Sequence, residues 1–154
     1  MKSPYPKATT IMLHKLADDA GLEPTQANMI PALYLADRMC LLETGRTITR
    51  DAYLLENGVL SIPGCEKFLS EKMPSEKELE LASYHLSEME LEAMQQSVQQ
   101  IKDGFDIHSL PEFKVCDGEI TPKDIVMNAG LDNKTTKGLL EIVELEEVCD
   151  ELFT

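Results

Sequence analysis

The feature that most constrains this chain is an almost wholly apolar segment over residues 29–42, "MIPALYLADRMCLL". Twelve of its 14 residues are apolar or aromatic, counting Pro31, and only Asp37 and Arg38 are charged. A helix that is apolar on every side is surrounded by other elements. We therefore expect a central, buried helix, with a kink or a late start at Pro31 because proline removes one backbone hydrogen bond.

Start and stop signals place the other helices. The central helix is expected to begin after an N-cap at Thr25 and to end at Gly45. Ser87 and Glu90 form a capping-box pattern, and Thr121-Pro122 is a typical helix start. The further predicted helices cover residues 10–20, 65–73, 87–103, 121–130 and 133–152, and residues 74–80 are expected to be an exposed connector.

The period of the sequence changes after Gly45. Residues 46–50, "RTITR", alternate and are rich in β-branched side chains, and Asn57-Gly58 lies between two apolar runs. This pattern predicts an extended piece with Arg46, Ile48 and Arg50 on one face, followed by a hairpin. The predicted fold is mainly α: one compact helical domain over residues 1–154, with a small β-hairpin or three-stranded sheet after the central helix.

Composition limits the classes of partner. The net charge of −14 repels nucleic acid and anionic membrane and favours encounter with basic proteins, although it can also serve only to keep the protein soluble. The sequence has no basic stripe for phosphate contacts, so we expect no direct nucleic-acid binding. No apolar run is long enough to cross a bilayer, and no signal peptide precedes four cysteines that lack CxxC spacing. We expect a cytoplasmic protein with reduced, packed cysteines.

Candidate catalytic and metal-binding groups are sparse. The three histidines are scattered, without the convergent pairs of ligands that a zinc site needs. Cys116 and His108 are close enough in sequence to form a couple, but no motif supports one. The sequence also lacks a glycine-rich phosphate loop and a GxSxG motif. We expect no catalysis, no metal and no cofactor.

All three arginines lie between residues 38 and 50. Asp37 and Arg38 point about 100° apart on a helix and so must have different neighbours. In one interpretation, Asp37 accepts hydrogen bonds from the following loop, with Arg46 or Arg50 as charged partners. In the other, Arg38, Arg46 and Arg50 stay open to a partner protein; the two roles can overlap.

The carboxyl-terminal segment is strongly acidic. From residue 141 onward it carries six acids and no base. One interpretation is a solvated face on a helix that packs through the apolar residues Leu140, Val143, Leu145, Val148 and Leu152. The other is an acidic surface that meets a cationic protein or imitates nucleic-acid phosphate.

The order "LYLADR…TGRTITRDAY…NGV" resembles the signature of the Panacea domain, the family that includes the SocA-like antitoxins. The similarity covers roughly residues 9–131, is weakest over residues 63–84, and leaves residues 132–154 as an added acidic helix. Val59 departs from the family pattern, which has a proline there, and Pro31 stands where a lysine is usual. The matching positions of the central motif are Leu33, Tyr34, Ala36, Asp37, Gly45, Arg46, Ile48, Thr49, Asp51, Tyr53 and Gly58.

The resemblance implies a non-enzymatic antitoxin that binds and neutralises a co-encoded toxin. An alternative is an adaptor that presents the toxin to an ATP-dependent protease; a further alternative is an acidic decoy for a nucleic-acid-processing protein. The toxin is expected to be basic, and the oligomeric state is open. We expect partner contacts at Arg38, Arg46, Arg50 and Tyr53, and structural roles for Tyr34, Asp37, Gly45, Asp51 and Gly58.

Overall fold

A computed structural model describes residues 6–69 and 72–153 of the chain. The expectations for the extreme amino terminus, and for residues 70 and 71 within one predicted helix, lie outside this part. The protein is mainly helical with one small antiparallel sheet, as predicted. The described elements are α1 Pro6–Ala20, α2 Gln26–Thr44, β1 Tyr53–Glu56, β2 Val59–Ser61, α3 Pro63–Glu66, α4 Glu76–Ser83, α5 Glu88–Lys102, a 3₁₀ turn Ile107–Ser109, α6 Glu112–Val115, β3 Gly118–Ile120, α7 Pro122–Asn128 and α8 Asn133–Phe153.

Helix α2 is the central element that the apolar segment predicts. Most of its residues between Met29 and Leu41 are buried, and the helix contacts α1, α5, α7 and β2. The helix begins at Gln26, so the alternative of a late start at Pro31 is wrong. Thr25 occupies the N-cap position, but its side chain makes no capping hydrogen bond; its carbonyl oxygen accepts from the first turn instead.

Helix α5 packs against α2, and α1 packs against both α4 and α5. Helix α5 packs through Ala93, Met94, Ser97 and Val98, whose spacing places them on one stripe. Its capping box, Ser87 with Glu90, is confirmed. The exposed connector predicted over residues 74–80 is largely exposed, but it is helical from Glu76, because Ser75 and Glu78 form a second capping box that starts α4. The short helix predicted over residues 65–73 is also shifted, since α3 ends at Glu66.

The sheet lies against α2, with strand order β2-β1-β3. Asn57 and Gly58 both have positive φ, 52° and 78°, which gives a tight hairpin turn of the type that Asn-Gly favours. Tyr53 of β1 pairs with Ile120, so the third strand comes from a segment far along the chain.

Residues 46–52 form a loop, so the extended piece predicted over residues 46–50 is wrong. Arg50 has a φ of +56°, a left-handed conformation that breaks the alternation of faces. Ile48 is buried while Arg46 and Arg50 lie at the surface, so the three side chains do not share one face. The loop folds inward because Asp37 binds its backbone, as described below.

Helix α8 packs through Leu139 and Val143, which are 6% and 4% exposed. Its N-cap is Asp132, whose carboxylate accepts from the backbone and hydroxyl of Thr135. The expectation that Leu145, Val148 and Leu152 are packed is wrong, because all three are exposed. The second half of α8 therefore carries uncovered apolar side chains.

Two further findings concern expectations from composition. Among residues 6–69 and 72–153, none of the helices combines the length and apolar character needed to cross a bilayer. The four cysteines are free thiols; Cys40 and Cys65 are buried in the core, and burial raises the pKa of the Cys40 thiol to about 12. Buried thiols of this kind act as small apolar side chains.

Gly45 is required by both backbone and packing. Its φ of +83° ends α2, its N–H donates to Leu41 O at 2.8 Å, and an added Cβ would lie 2.6 Å from Cγ2 of Ile142 in α8. We predict that Gly45→Ala lowers the free energy of unfolding by about 2–4 kcal/mol, measured by urea denaturation. The matched control is Gly138→Ala in α8, where no atom lies within 4 Å; it should be neutral or stabilise by up to about 1 kcal/mol. Equal effects of the two substitutions would contradict this account.

Candidate functional site

The carboxylate of Asp37 organises the loop between α2 and β1. Its Oδ1 accepts from the backbone N–H groups of Ile48 at 2.6 Å and Thr49 at 3.0 Å. Its Oδ2 accepts from the hydroxyls of Thr49 at 2.6 Å and Tyr53 at 2.7 Å. Asp37 is 1% exposed, and burial raises the pKa of this carboxyl above its ordinary value while the four hydrogen bonds oppose that shift.

Neither Arg46 nor Arg50 pairs with Asp37, so that part of the structural interpretation is wrong. Backbone and hydroxyl donors take the place of the guanidinium groups. Tyr53, expected at the partner surface, is 3% exposed and its hydroxyl is bound to Asp37. It therefore has no surface to offer a partner and belongs with the structural residues.

Tyr34 and Arg38 stand one turn apart on α2 and reach a different carboxylate. The Tyr34 hydroxyl donates to Oε2 of Glu112 at 2.7 Å, and Arg38 donates to both carboxylate oxygens, at 2.8 and 3.3 Å. Glu112 is fully buried in α6, where a carboxylate without partners would be costly, and these hydrogen bonds supply the partners. Arg38 and Asp37 thus have separate partners, as the 100° between them requires.

Aromatic rings lie between the two buried carboxylates, Asp37 and Glu112. The Tyr34 ring meets the edges or faces of Tyr53 and Phe113 in T-shaped contacts, with centroids 4.9 and 5.1 Å apart. Phe113 in turn contacts His108 at 5.6 Å. Such contacts add packing energy to the hydrogen bonds. The result is a continuous buried network from the α2–β1 loop to α6.

Arg46 and Arg50 emerge from the surface of this network. Both pair with Glu146 of α8: Arg46 through Nε, and Arg50 through Nη1 at 3.1 Å. The two arginine side chains remain 50% and 34% exposed. They line a cleft of about 350 Å³ between the loop, β3 and α8, together with Glu119 and Glu147.

Two further motif residues, Asp51 and Gly58, make contacts that join separate elements, and Asp51 also lines the cleft. Asp51 accepts from the Cys65 thiol at 3.1 Å, and its carboxylate lies so close to Gly64 that a Cβ added there would be 2.5 Å from Oδ1. Gly58 offers its carbonyl oxygen to Nε2 of His108 at 2.7 Å. Asp51 therefore joins the loop to α3, and Gly58 joins the hairpin to the 3₁₀ turn.

His108 does not form the couple with Cys116 that the sequence left open. Both ring nitrogens of His108 are engaged, by Asp106 and by Gly58, and burial raises the pKa of the Cys116 thiol. In the part of the chain that the structure describes, no group of three or more His, Cys, Asp or Glu side chains is placed to hold a metal ion.

Sequence reasoning missed both acidic partners of the arginines. Glu112 and Glu146 are separated from them by 74 and about 100 residues, with no local pattern linking them. The sequence indicated only that Arg38, inside an apolar helix, would need an acidic partner if its side chain were buried. The sequence did not indicate which one.

We predict that Asp37→Ala lowers the free energy of unfolding by about 3–5 kcal/mol, because it leaves four donors of the loop without an acceptor. Asp37→Asn should cost only about 1–2 kcal/mol, since its carbonyl can accept from the two N–H groups while the hydroxyls rotate to accept from its amide. Urea denaturation of the two variants measures the difference. An equal loss would mean that the charge itself holds the loop.

We also predict a pH-dependent contact at His108. The Gly58 carbonyl and the Asp106 carboxylate raise the pKa of its imidazole above the ordinary 6.5. The charged ring can donate to both acceptors, so the contact is complete below the ordinary value and is lost as pH rises through the raised one. NMR titration of the ring should show the raised pKa, and Asp106→Asn should lower it; a titration at or below 6.5 would refute the pairing.

Comparison of the chain with protein-family models, with curated proteins and with solved structures gave no significant match. The Panacea resemblance therefore stays a prediction drawn from the motif. What the geometry adds is that Tyr34, Asp37, Gly45, Thr49, Asp51, Tyr53 and Gly58 all take part in holding one loop and its surroundings.

Proposed function

We propose that this protein is an antitoxin, neutralising a co-encoded toxin by direct protein–protein binding at the surface around Arg46 and Arg50. The observation that carries the proposal is the placement of these arginines on a loop fixed from inside by Asp37. They project into a cleft while staying partly exposed. A preorganised arginine surface suits an interface because little conformational freedom is lost on binding.

Electrostatics supports the same class of partner. The chain has 28 acids against 14 lysines and arginines, so a basic toxin is steered toward it over long range. At short range, Arg46 and Arg50 already share one carboxylate, Glu146. A toxin carboxylate reaching the cleft would compete with Glu146 for two guanidinium groups, giving directional contacts within a generally acidic surface.

The test is co-expression with the toxin encoded by the neighbouring gene. The wild-type chain should restore growth, and Arg46→Ala/Arg50→Ala should weaken rescue. Because both side chains are surface-exposed, this variant should retain its free energy of unfolding within about 1 kcal/mol. The charge-matched control, Lys77→Ala/Lys134→Ala, removes two exposed lysines that do not line the cleft and should rescue fully.

Full rescue by a folded Arg46→Ala/Arg50→Ala variant would contradict the cleft as the contact surface. A neighbouring gene whose product is harmless alone would contradict the antitoxin function itself. The lifetime of the toxin distinguishes a protease adaptor from direct neutralisation. An adaptor shortens the lifetime of the toxin, so deleting the gene for this chain should lengthen it. Direct neutralisation does not require any such change.

A further inference from the structure

Helix α8 has a second apolar face that the rest of the fold leaves open. Leu145, Val148 and Leu152 are 58%, 50% and 72% exposed. Their spacing of three and four residues places them on one side of the helix. The buried Val143 lies about 160° around the axis from Leu145, so this face points away from the core and from the arginine cleft.

The open face is bordered by carboxylates. Glu141 lies one turn before Leu145, and Glu144 and Glu151 lie along one edge beside Val148; all three are exposed. From residue 141 to the end of the sequence there is no lysine, arginine or histidine. The α8 stripe, meaning Leu145, Val148 and Leu152 with these three glutamates, is thus apolar at its centre and negatively charged at its border.

The charge at the border indicates what can cover the centre. A second copy of the chain would bring an identical acidic border, and like charges held together at an interface are costly. A helix with apolar residues on one side and lysines or arginines beside them would bury the stripe and pair with the glutamates. Exposed apolar residues grouped in this way commonly mark a binding site.

We propose that the α8 stripe is the docking surface for a basic amphipathic helix of the partner protein. The identity of that partner as the toxin rests on the proposed function; the chemistry of the docked helix does not. The stripe and the arginine cleft lie on different sides of α8, so substitutions in one leave the other intact.

The test uses the full chain and two fluorescent synthetic peptides of the same composition. One places leucines on one helical side and lysines on the other; the second has the same residues in scrambled order. Fluorescence anisotropy should show binding of the amphipathic peptide, weakened by salt because the glutamates contribute. The scrambled peptide should bind at least about tenfold more weakly, a difference of the size that one buried apolar side chain produces.

Three variants assign the binding to the stripe. The triple variant Leu145→Ser/Val148→Ser/Leu152→Ser should weaken binding of the amphipathic peptide by about tenfold or more. The milder variant Leu145→Ala/Leu152→Ala should weaken that binding by less. Glu144→Gln/Glu151→Gln should weaken binding and flatten its salt dependence. The control Val115→Ser removes an equally exposed apolar residue, 66% exposed and outside α8, and should bind like wild type. Thermal unfolding checks that each variant is folded.

The proposal would be overturned if the scrambled peptide bound as tightly as the amphipathic one. It would also be overturned if the serine and alanine variants of the stripe, both folded, bound the amphipathic peptide as tightly as wild type. Sedimentation showing a dimer of the chain that the serine variant dissociates would overturn it as well, since the occupant would then be a second copy. Arg46→Ala/Arg50→Ala should bind the peptide normally. If the peptide result holds while toxin rescue fails, the proposed function is wrong and the docking surface stands.

Discussion

The buried carboxylate of Asp37 is the interaction on which the structure around the cleft depends. An aspartate inside the most apolar helix would cost several kcal/mol without partners. Its four hydrogen bonds fold residues 48–53 back onto α2, and Tyr53 begins β1 at that point. The position of the sheet, and with it the placement of the loop that carries Arg46 and Arg50, is tied to the hydrogen bonds of this one buried carboxylate.

A second buried charge repeats this logic on the next face of α2. Arg38 and Tyr34 fix Glu112, which fixes α6. Phe113 beside it packs on Tyr34, and Tyr34 packs on Tyr53. The loop that presents the arginines and the segment leading to β3 are therefore coupled through a single helix. A partner bound at the cleft would meet a rigid surface, which limits the entropy lost on association.

Helix α8 serves two surfaces at once. Its inner side closes the cleft with Glu146 and packs Ile142 against Gly45, while its outer side exposes the α8 stripe. One interpretation of the sequence made the acidic segment only a solvated helix face. The structure gives some of its acids further contacts. One of its acids neutralises two arginines, and three others border an uncovered apolar face.

Local sequence pattern was enough to predict the central helix, its end at Gly45, the hairpin at Asn57-Gly58, the capping box at Ser87 and the helix start at Thr121. These features arise between residues a few positions apart, so local pattern contains them. Other features are set by the packing of distant elements: residues 46–50 form a loop, Glu112 and Glu146 pair with the arginines, and Leu145, Val148 and Leu152 stay exposed. Burial and charge pairing arise only where elements that are distant in the sequence pack together. The periodicity within one segment therefore cannot predict them.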